Sequence, residues 1–304
     1  MTYRYILEKY NGAKSRHTCP SCEKHRVFAK YIDTETGDFL PYEVGRCNRE
    51  DKCSYHYTPK QYFENNNSTF TERTIAPLLE YKQKKREISY IDKDVLIESI
   101  KQSKGNNFET FLLTFFDAET TSNLLAKYYV GTSSKWNGAT IFWQVDQSHN
   151  IRTGKIMLYD EVKGKRIKEP YNHISWTHTS LNQPEYNLQQ CLFGEHLLIN
   201  KIDAIALVES EKTAITCSGF SSRFIWLACG GLSNLTKERC KALKGRNVLL
   251  FPDFGCFDKW TNKAKELSEI MSINVSNLLE KSSDKYGLKL GDDLADLILK
   301  KNKE

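Results

Sequence analysis

The chain has 304 residues, 44 Lys+Arg against 38 Asp+Glu for a formal net charge of +6, and nine cysteines. That length supports one large domain or two to three small ones, and the positive excess permits a polyanionic partner without requiring one. No run of 18 apolar residues occurs and "MTYRYILEKYNG" lacks the apolar core of a secretory signal, so no membrane partner is expected, and the expected setting is cytoplasmic with reduced thiols.

The first predicted element, over residues 1–63, is a zinc ribbon. Cys19 and Cys22 lie in "CPSC", Cys47 and Cys53 in "GRCNREDKC". A thiolate pair on a tight turn presents two sulfurs to one tetrahedral ion, and a second pair completes the shell, so a structural Zn2+ is expected. The wider spacing of the second pair leaves His56 as an alternative to Cys53; His17 and His25 read as surface residues beside the first. Between the pairs, the sequence alternates apolar and polar around "ETGD", as two strands joined by a turn would. Lys24, Arg26, Lys30, Arg46, Arg49 and Lys52 surround the pairs, with Phe28, Tyr31, Tyr55 and Tyr57 interleaved. Such a surface suits single-stranded bases, although some of these rings must fill the ribbon's own small core.

Residues 64–88, beginning "ENNNSTFTERT", are polar and aperiodic and read as a flexible linker carrying a basic cluster at Lys82, Lys84, Lys85 and Arg86. A helical and β-hairpin region is predicted over 89–200. "DKDVLIESIKQ", "NFETFLLTFF" and "DAETTSNLLAKYY" place apolar residues at helical spacing, with Asp117 a start signal for the third and Phe108, Phe111, Phe115 and Phe116 assigned to the core. From Gly138 the period becomes two: Ile141, Trp143 and Val145, a turn at "DQSHN", then Ile151, Lys155 and Met157. Arg152, Lys155, Lys163, Lys165, Arg166 and Lys168 stand against only Asp160 and Glu161 in this stretch. These six are candidate nucleic-acid contacts; a solvated basic face is the alternative.

Over 201–304, four apolar runs, "AIALV", "RFIWLA", "NVLLF" and "INVSNLL", each precede a segment of helical length. This rhythm predicts a parallel α/β sheet with crossover helices. Ligands of such sheets bind beyond the carboxyl ends of the strands. Glu209, the Gly230-Gly231 pair, Asp253 and the Asp292, Asp293, Asp296 group follow the four runs in order. Acids gathered at one edge repel unless a cation lies between them, and oxygen ligands point to Mg2+ or Mn2+; capping of the next helix is the alternative for each acid. The other five cysteines lack ligand spacing and read as buried small residues. No phosphate loop of the helicase type is present, so unwinding would fall to a separate replicative helicase.

These residues carry a resemblance. "VESEKTA" resembles the first motif of the TOPRIM fold of primases, topoisomerases and some nucleases, with Glu209 on the family's glutamate and Ser210 in place of its glycine. "LLFPDFG" resembles the Asp-x-Asp motif with Asp253 on its first acid, and "GDDLADLIL" resembles the third motif with Asp293 and Asp296 on its acids. The zinc ribbon, the hairpin and "LFGEHLL" follow the element order of primase polymerase domains of phages and bacterial mobile elements. The resemblance implies a TOPRIM-type parallel sheet flanked by helices in which Glu209, Asp253, Asp293 and Asp296 hold Mg2+ or Mn2+. It implies catalysis by the first three, and nucleotides joined into RNA primers on single-stranded DNA for replication. Lys212 would touch a phosphate. One departure stands out: Gly255 occupies the second Asp-x-Asp position, with Asp258 three residues on as a substitute. A TOPRIM nuclease and a non-catalytic nucleic-acid-binding protein with a degenerate centre stay open as alternatives. A topoisomerase needs a further large domain with a catalytic tyrosine, for which this length leaves little room.

Overall fold

The computed structural model describes residues 3–49, 52–66, 87–101, 106–183 and 185–301. Residues 67–86, most of the expected linker and its basic cluster, lie outside them. The chain divides into two compact units, Met1–Lys85 and Arg86–Glu304.

In the first unit, β1 (Tyr5–Leu7), β2 (Phe28–Asp33), β3 (Gly45–Cys47) and β4 (His56–Tyr57) form an antiparallel sheet in that order, followed by α1 (Pro59–Asn65). Helix α1 begins with a capping box: the Thr58 hydroxyl takes the Gln61 N–H and the Gln61 side chain takes that of Thr58. Phe28 is fully buried among the cysteines. Gly45 is required opposite it, because a Cβ there would lie 2.3 Å from the Ala29 carbonyl oxygen and 2.4 Å from the Phe28 ring.

The second unit opens with α2 (Lys93–Lys101), α3 (Asn107–Leu112) and α4 (Ala118–Lys127). The side chain of Asn106 caps α3 and that of Asp117 caps α4. An antiparallel sheet follows, in the order β5 (Val130–Ser133), β6 (Ala139–Val145), β7 (Ile151–Met157) and β8 (Ile174–Trp176), then α5 (Thr177–Ser180). The predicted hairpin is β6–β7. Asp146 shapes its turn by accepting the N–H groups of Ser148 and Asn150, each at 2.9 Å. Every residue of β6 is buried, because both sheet faces are covered. Ile141, Trp143 and Val145 pack with Leu96 of α2, while Phe142 packs with Phe108 and with residues of the next sheet.

That next sheet is parallel: β9 (Ile205–Val208), β10 (Ile225–Ala228), β11 (Asn247–Leu250) and β12 (Ser272–Val275), in spatial order β10-β9-β11-β12. Around it lie α6 (Glu211–Phe220), α7 (Phe257–Leu267), α8 (Leu278–Tyr286) and α9 (Leu294–Lys301). One core joins Phe108, Phe142 and Phe193 to Ala206, Val208 and Ile215. Packing is therefore continuous across residue 200.

Two predicted elements differ. "SNLTKERCKALKG" supplies only the short 3-10 turns Leu232–Asn234 and Lys241–Leu243. Leu235, Cys240 and Leu243 are fully buried, and their spacing of five and three residues fits an irregular crossover held on the sheet rather than one helical face. The fourth apolar run is split: β12 ends at Val275, and Leu278 and Leu279 begin α8. Asp293 therefore follows a helix that ends at Gly287 (φ +55°), rather than following a strand directly.

Candidate active-site cavity and thiolate cluster

Four sulfurs meet in the first unit. The Sγ atoms of Cys19, Cys22, Cys47 and Cys53 all lie within 4.8 Å of one another, with Cys19 and Cys53 3.7 Å apart. A tetrahedral zinc with bonds of about 2.3 Å needs S···S edges of about 3.8 Å, so the set fits that ion. The Lys24 backbone N–H, aided by Cys53, Arg49 and Cys19, pulls the Cys22 thiol down to about 6, which favours the thiolate that a metal binds. His56 is not part of the cluster: its Nε2 pairs with the Tyr31 hydroxyl at 2.9 Å and the two rings stack. Cys53 fills the fourth position because the chain turns back at Arg49, whose carbonyl takes the Cys53 N–H at 2.8 Å.

In the second unit, a cavity of ≈ 470 Å³ opens beyond the carboxyl ends of β9 and β11. Strand β9 delivers Glu209 to it; β11, through Phe251 and Pro252, delivers Asp253. The start of α9 contributes Asp293 and Asp296. The facing wall is basic, built by Lys155 of β7 and by Lys165, Arg166 and Lys168 of the following loop. Arg152 and Lys163 do not line the cavity. Arg152 pairs with Asp146 at 2.7 Å, and the Lys163 backbone closes an Asp160 turn at 2.7 Å.

The acids differ in their partners. No hydrogen bond reaches the carboxylate of Glu209 or Asp253 among the described residues. Burial, reinforced by Glu209 and Asp293, pushes Asp253 up to about 8 against the pull of Lys212. Burial also raises Glu209, opposed by Arg166 and Lys155. Burial acts on Asp293 in the same sense, yet Lys212, the Asp296 backbone N–H and Thr213 outweigh it and hold this group below its usual range. Lys212 Nζ lies 3.0 Å from Asp293 Oδ2 and 3.7 Å from Asp296 Oδ1, and the Thr213 hydroxyl donates to Asp293 Oδ2 at 2.8 Å. Asp293 Oδ1 takes the Asp296 N–H at 3.0 Å, a helix cap, and Lys165 reaches Asp296 at 3.1 Å.

Sequence reasoning missed Glu211. It is 1% exposed, at the first turn of α6, and takes Lys155 Nζ at 3.0 and 3.1 Å. Ser210 caps the same helix through the Thr213 N–H, which explains a serine at the glycine position of the motif. Gly230 (φ +75°) covers the pair; a Cβ there would sit 3.4 Å from Glu211 Oε1.

Asp258 is exposed on the first turn of α7 and does not line the cavity. Gly255 has φ +85°, and a Cβ there would meet Leu290 Cδ2 at 2.6 Å. Glu280 of α8 lies behind this turn, with Oε1 3.4 Å from the Gly255 nitrogen and Oε2 buried without a partner among the described residues. Those described residues bring three or more metal-ligand atoms within 4.8 Å of one another only at the cysteines. By donor chemistry Glu209 and Asp253 suit a cation, being two carboxylates on one cavity with no hydrogen-bond partner among the described residues. Asp293 does not suit one in the same way, because its Oδ2 is already engaged. No helix of the described residues is long and apolar enough to cross a membrane.

Residues 3–68 match the zinc beta-ribbon finger family, and residues 106–254 match a domain family of unknown function, DUF6371. No curated protein matches the sequence. Among solved structures, the primase fragment of the bacteriophage T7 primase-helicase protein is similar with a TM-score of 0.40 and 12% identity, over 97% of this chain and 95% of that one. A T7 assembly of the lagging-strand DNA polymerase with the primase domains of two gp4 subunits gives 0.35 and 15%, over 54% of this chain and 81% of that one. Neither score is high enough to establish a common fold.

Proposed function

We propose that this chain is a primase-like nucleotidyltransferase that joins nucleotides into RNA primers on single-stranded DNA, in the replication of a phage or mobile element. Its second half is then a TOPRIM-type domain, and a separate replicative helicase is its expected partner. One observation carries the reading: two carboxylates without a hydrogen-bond partner among the described residues, Glu209 and Asp253, stand at the ends of neighbouring parallel strands and face a basic wall across one cavity.

Glu209 and Asp253 are the residues that would hold Mg2+ or Mn2+. Such a cation, when bound, supplies neutralisation of charge developing on phosphoryl oxygens. Arg166 and Lys168, exposed at the cavity edge, would bind backbone or nucleotide phosphates and orient them. Lys155, fixed by Glu211, adds a cation that cannot swing away. Glu209, raised by burial, is suited to hold or release a proton at the reacting hydroxyl. The zinc ribbon, with Tyr42 and Phe39 exposed beside Lys30, would supply stacking faces for template bases.

A second reading is a non-catalytic single-stranded-DNA-binding protein. Gly255 favours it: the family's second acid is missing there, and neither Asp258 nor Glu280 lines the cavity in its place.

The deciding experiment incubates labelled ribonucleotides, mixed-sequence single-stranded DNA and Mg2+ or Mn2+ with wild type and with Glu209→Gln. Short products from wild type alone support the primase reading. Template shortening instead of synthesis identifies a nuclease. Neither product, with DNA binding intact in both proteins, establishes the second reading.

A further inference from the structure

We infer that the Lys212 ammonium permanently occupies the position a second divalent cation would take, so that the cavity is a one-cation centre. The inference rests on the proposed role of Glu209 and Asp253. It concerns a residue whose expected role was phosphate contact.

Lys212 is 6% exposed. It is the second residue of α6, and its ammonium lies within reach of Asp293 Oδ2 and Asp296 Oδ1. The Thr213 hydroxyl adds a second donor to the same Asp293 oxygen. Asp293 Oδ1 is committed to the Asp296 backbone N–H, and Asp296 also takes Lys165. Both third-motif acids are therefore satisfied by this chain's own cations and N–H groups. An ammonium buried in this way does not leave readily, because departure would leave the buried Asp293 carboxylate without its cation.

The other side of the cavity has the opposite character. Glu209 and Asp253 have no hydrogen-bond partner among the described residues. Gly255, at the position of the missing acid, has no side chain, and its left-handed conformation disfavours one. A second cation would need unengaged Asp293 and Asp296 carboxylates, and Lys212 neutralises both, while the glycine at 255 offers no further ligand. One site remains, with ligands from β9 and β11.

The test counts Mn2+ bound to the zinc-loaded full chain, by electron paramagnetic resonance of free Mn2+ and by calorimetry. Wild type should bind one Mn2+ per chain, lost in Asp253→Asn. Lys212→Met, which frees Asp293 and Asp296, should bind two, and Mn2+ should raise its Tm more than that of wild type. Since Lys212→Met alone strands buried carboxylates and can fail to fold, Lys212→Met/Asp293→Asn removes both charges together. That double variant should keep a single Mn2+ with a Kd within about threefold of wild type, a change of under 1 kcal/mol. Two Mn2+ in wild type, or loss of Mn2+ in the double variant, overturns the inference while leaving the cation centre standing. No Mn2+ in any folded protein overturns the reading of Glu209 and Asp253 as a cation site, and the inference with it.

Discussion

Lys155 Nζ lies 3.0 Å from Glu211 Oε2, joining β7 of the antiparallel sheet to the first turn of α6 across 56 residues of sequence. The lysine is 12% exposed and the glutamate 1% by side chain, so each charge depends on the other for compensation. Lys155→Met should destabilise the second unit by about 3–5 kcal/mol, the cost of leaving a buried charge alone. Lys155→Met/Glu211→Gln should recover most of that loss. Urea unfolding of the four proteins measures the coupling, and additive single-mutant effects would show the pair to be independent.

Zinc removal should act on one unit. Purified protein should carry about one zinc per chain. Cys47→Ser should carry almost none and lose protease resistance over residues 3–66, while the Arg86–Glu304 unit keeps its own unfolding transition. Elemental analysis with limited proteolysis reads both. His56→Ala, whose ring pairs with Tyr31 instead of the cluster, should retain full zinc.

The basic wall predicts a graded salt response. Each phosphate contact to single-stranded nucleic acid contributes roughly 0.7 to the slope of log K against log salt. Arg166→Ala with Lys168→Ala should therefore flatten the slope for single-stranded DNA by about 1.4. Arg152→Ala should leave the slope unchanged, since that guanidinium is held by Asp146 away from the cavity. Equal effects of the two substitutions in fluorescence anisotropy would contradict this division.

Glu195 gives a pH-dependent stability. It is 7% exposed, and burial raises it from 4.5 to about 7, opposed mainly by backbone N–H donors at Leu192 and Gln147. An acid raised in the folded state binds its proton more tightly there than in the unfolded chain. Stability is therefore fully present below about pH 4.5, falls between about 4.5 and 7, and is flat above. The total is on the order of 3 kcal/mol. Glu195→Gln should reduce the decline in Tm across that window relative to wild type, and parallel profiles for the two proteins would remove Glu195 as its source.

Gly255→Ala should cost about 1 kcal/mol, because φ +85° disfavours a Cβ and the exposed Leu290 side chain must move from 2.6 Å. Thermal melting measures it. An unchanged Tm would mean that the turn relaxes to another conformation.

The linear sequence determined what depends on local spacing and period. Two cysteine pairs sufficed for the thiolate cluster, because a tight turn holds two sulfurs at ligand separation. The period-two run through Ile141 and Trp143 sufficed for the β6–β7 hairpin, and the recurrent apolar runs sufficed for the strands that carry Glu209 and Asp253 to one edge. The helical length expected over residues 233–245 gives way to short 3-10 turns, and the fourth apolar run divides between β12 and α8. Burial against the sheet governs both, and periodicity alone does not report burial.

Only the tertiary structure decided which charges face each other. Arg152 and Lys155 are three residues apart and look equivalent in sequence, yet one pairs with Asp146 and the other with Glu211. Glu209 and Asp293 look alike in sequence as acids beyond apolar runs, yet Asp293 is engaged by Lys212 and Thr213 while the Glu209 carboxylate has no hydrogen-bond partner among the described residues. The physical reason is that the free energy of a charge depends on its desolvation and on partners within a few ångströms. In this chain the Lys155–Glu211, Thr213–Asp293 and Lys165–Asp296 pairs that shape the cavity join residues 56, 80 and 131 apart in sequence, and folding alone brings them together.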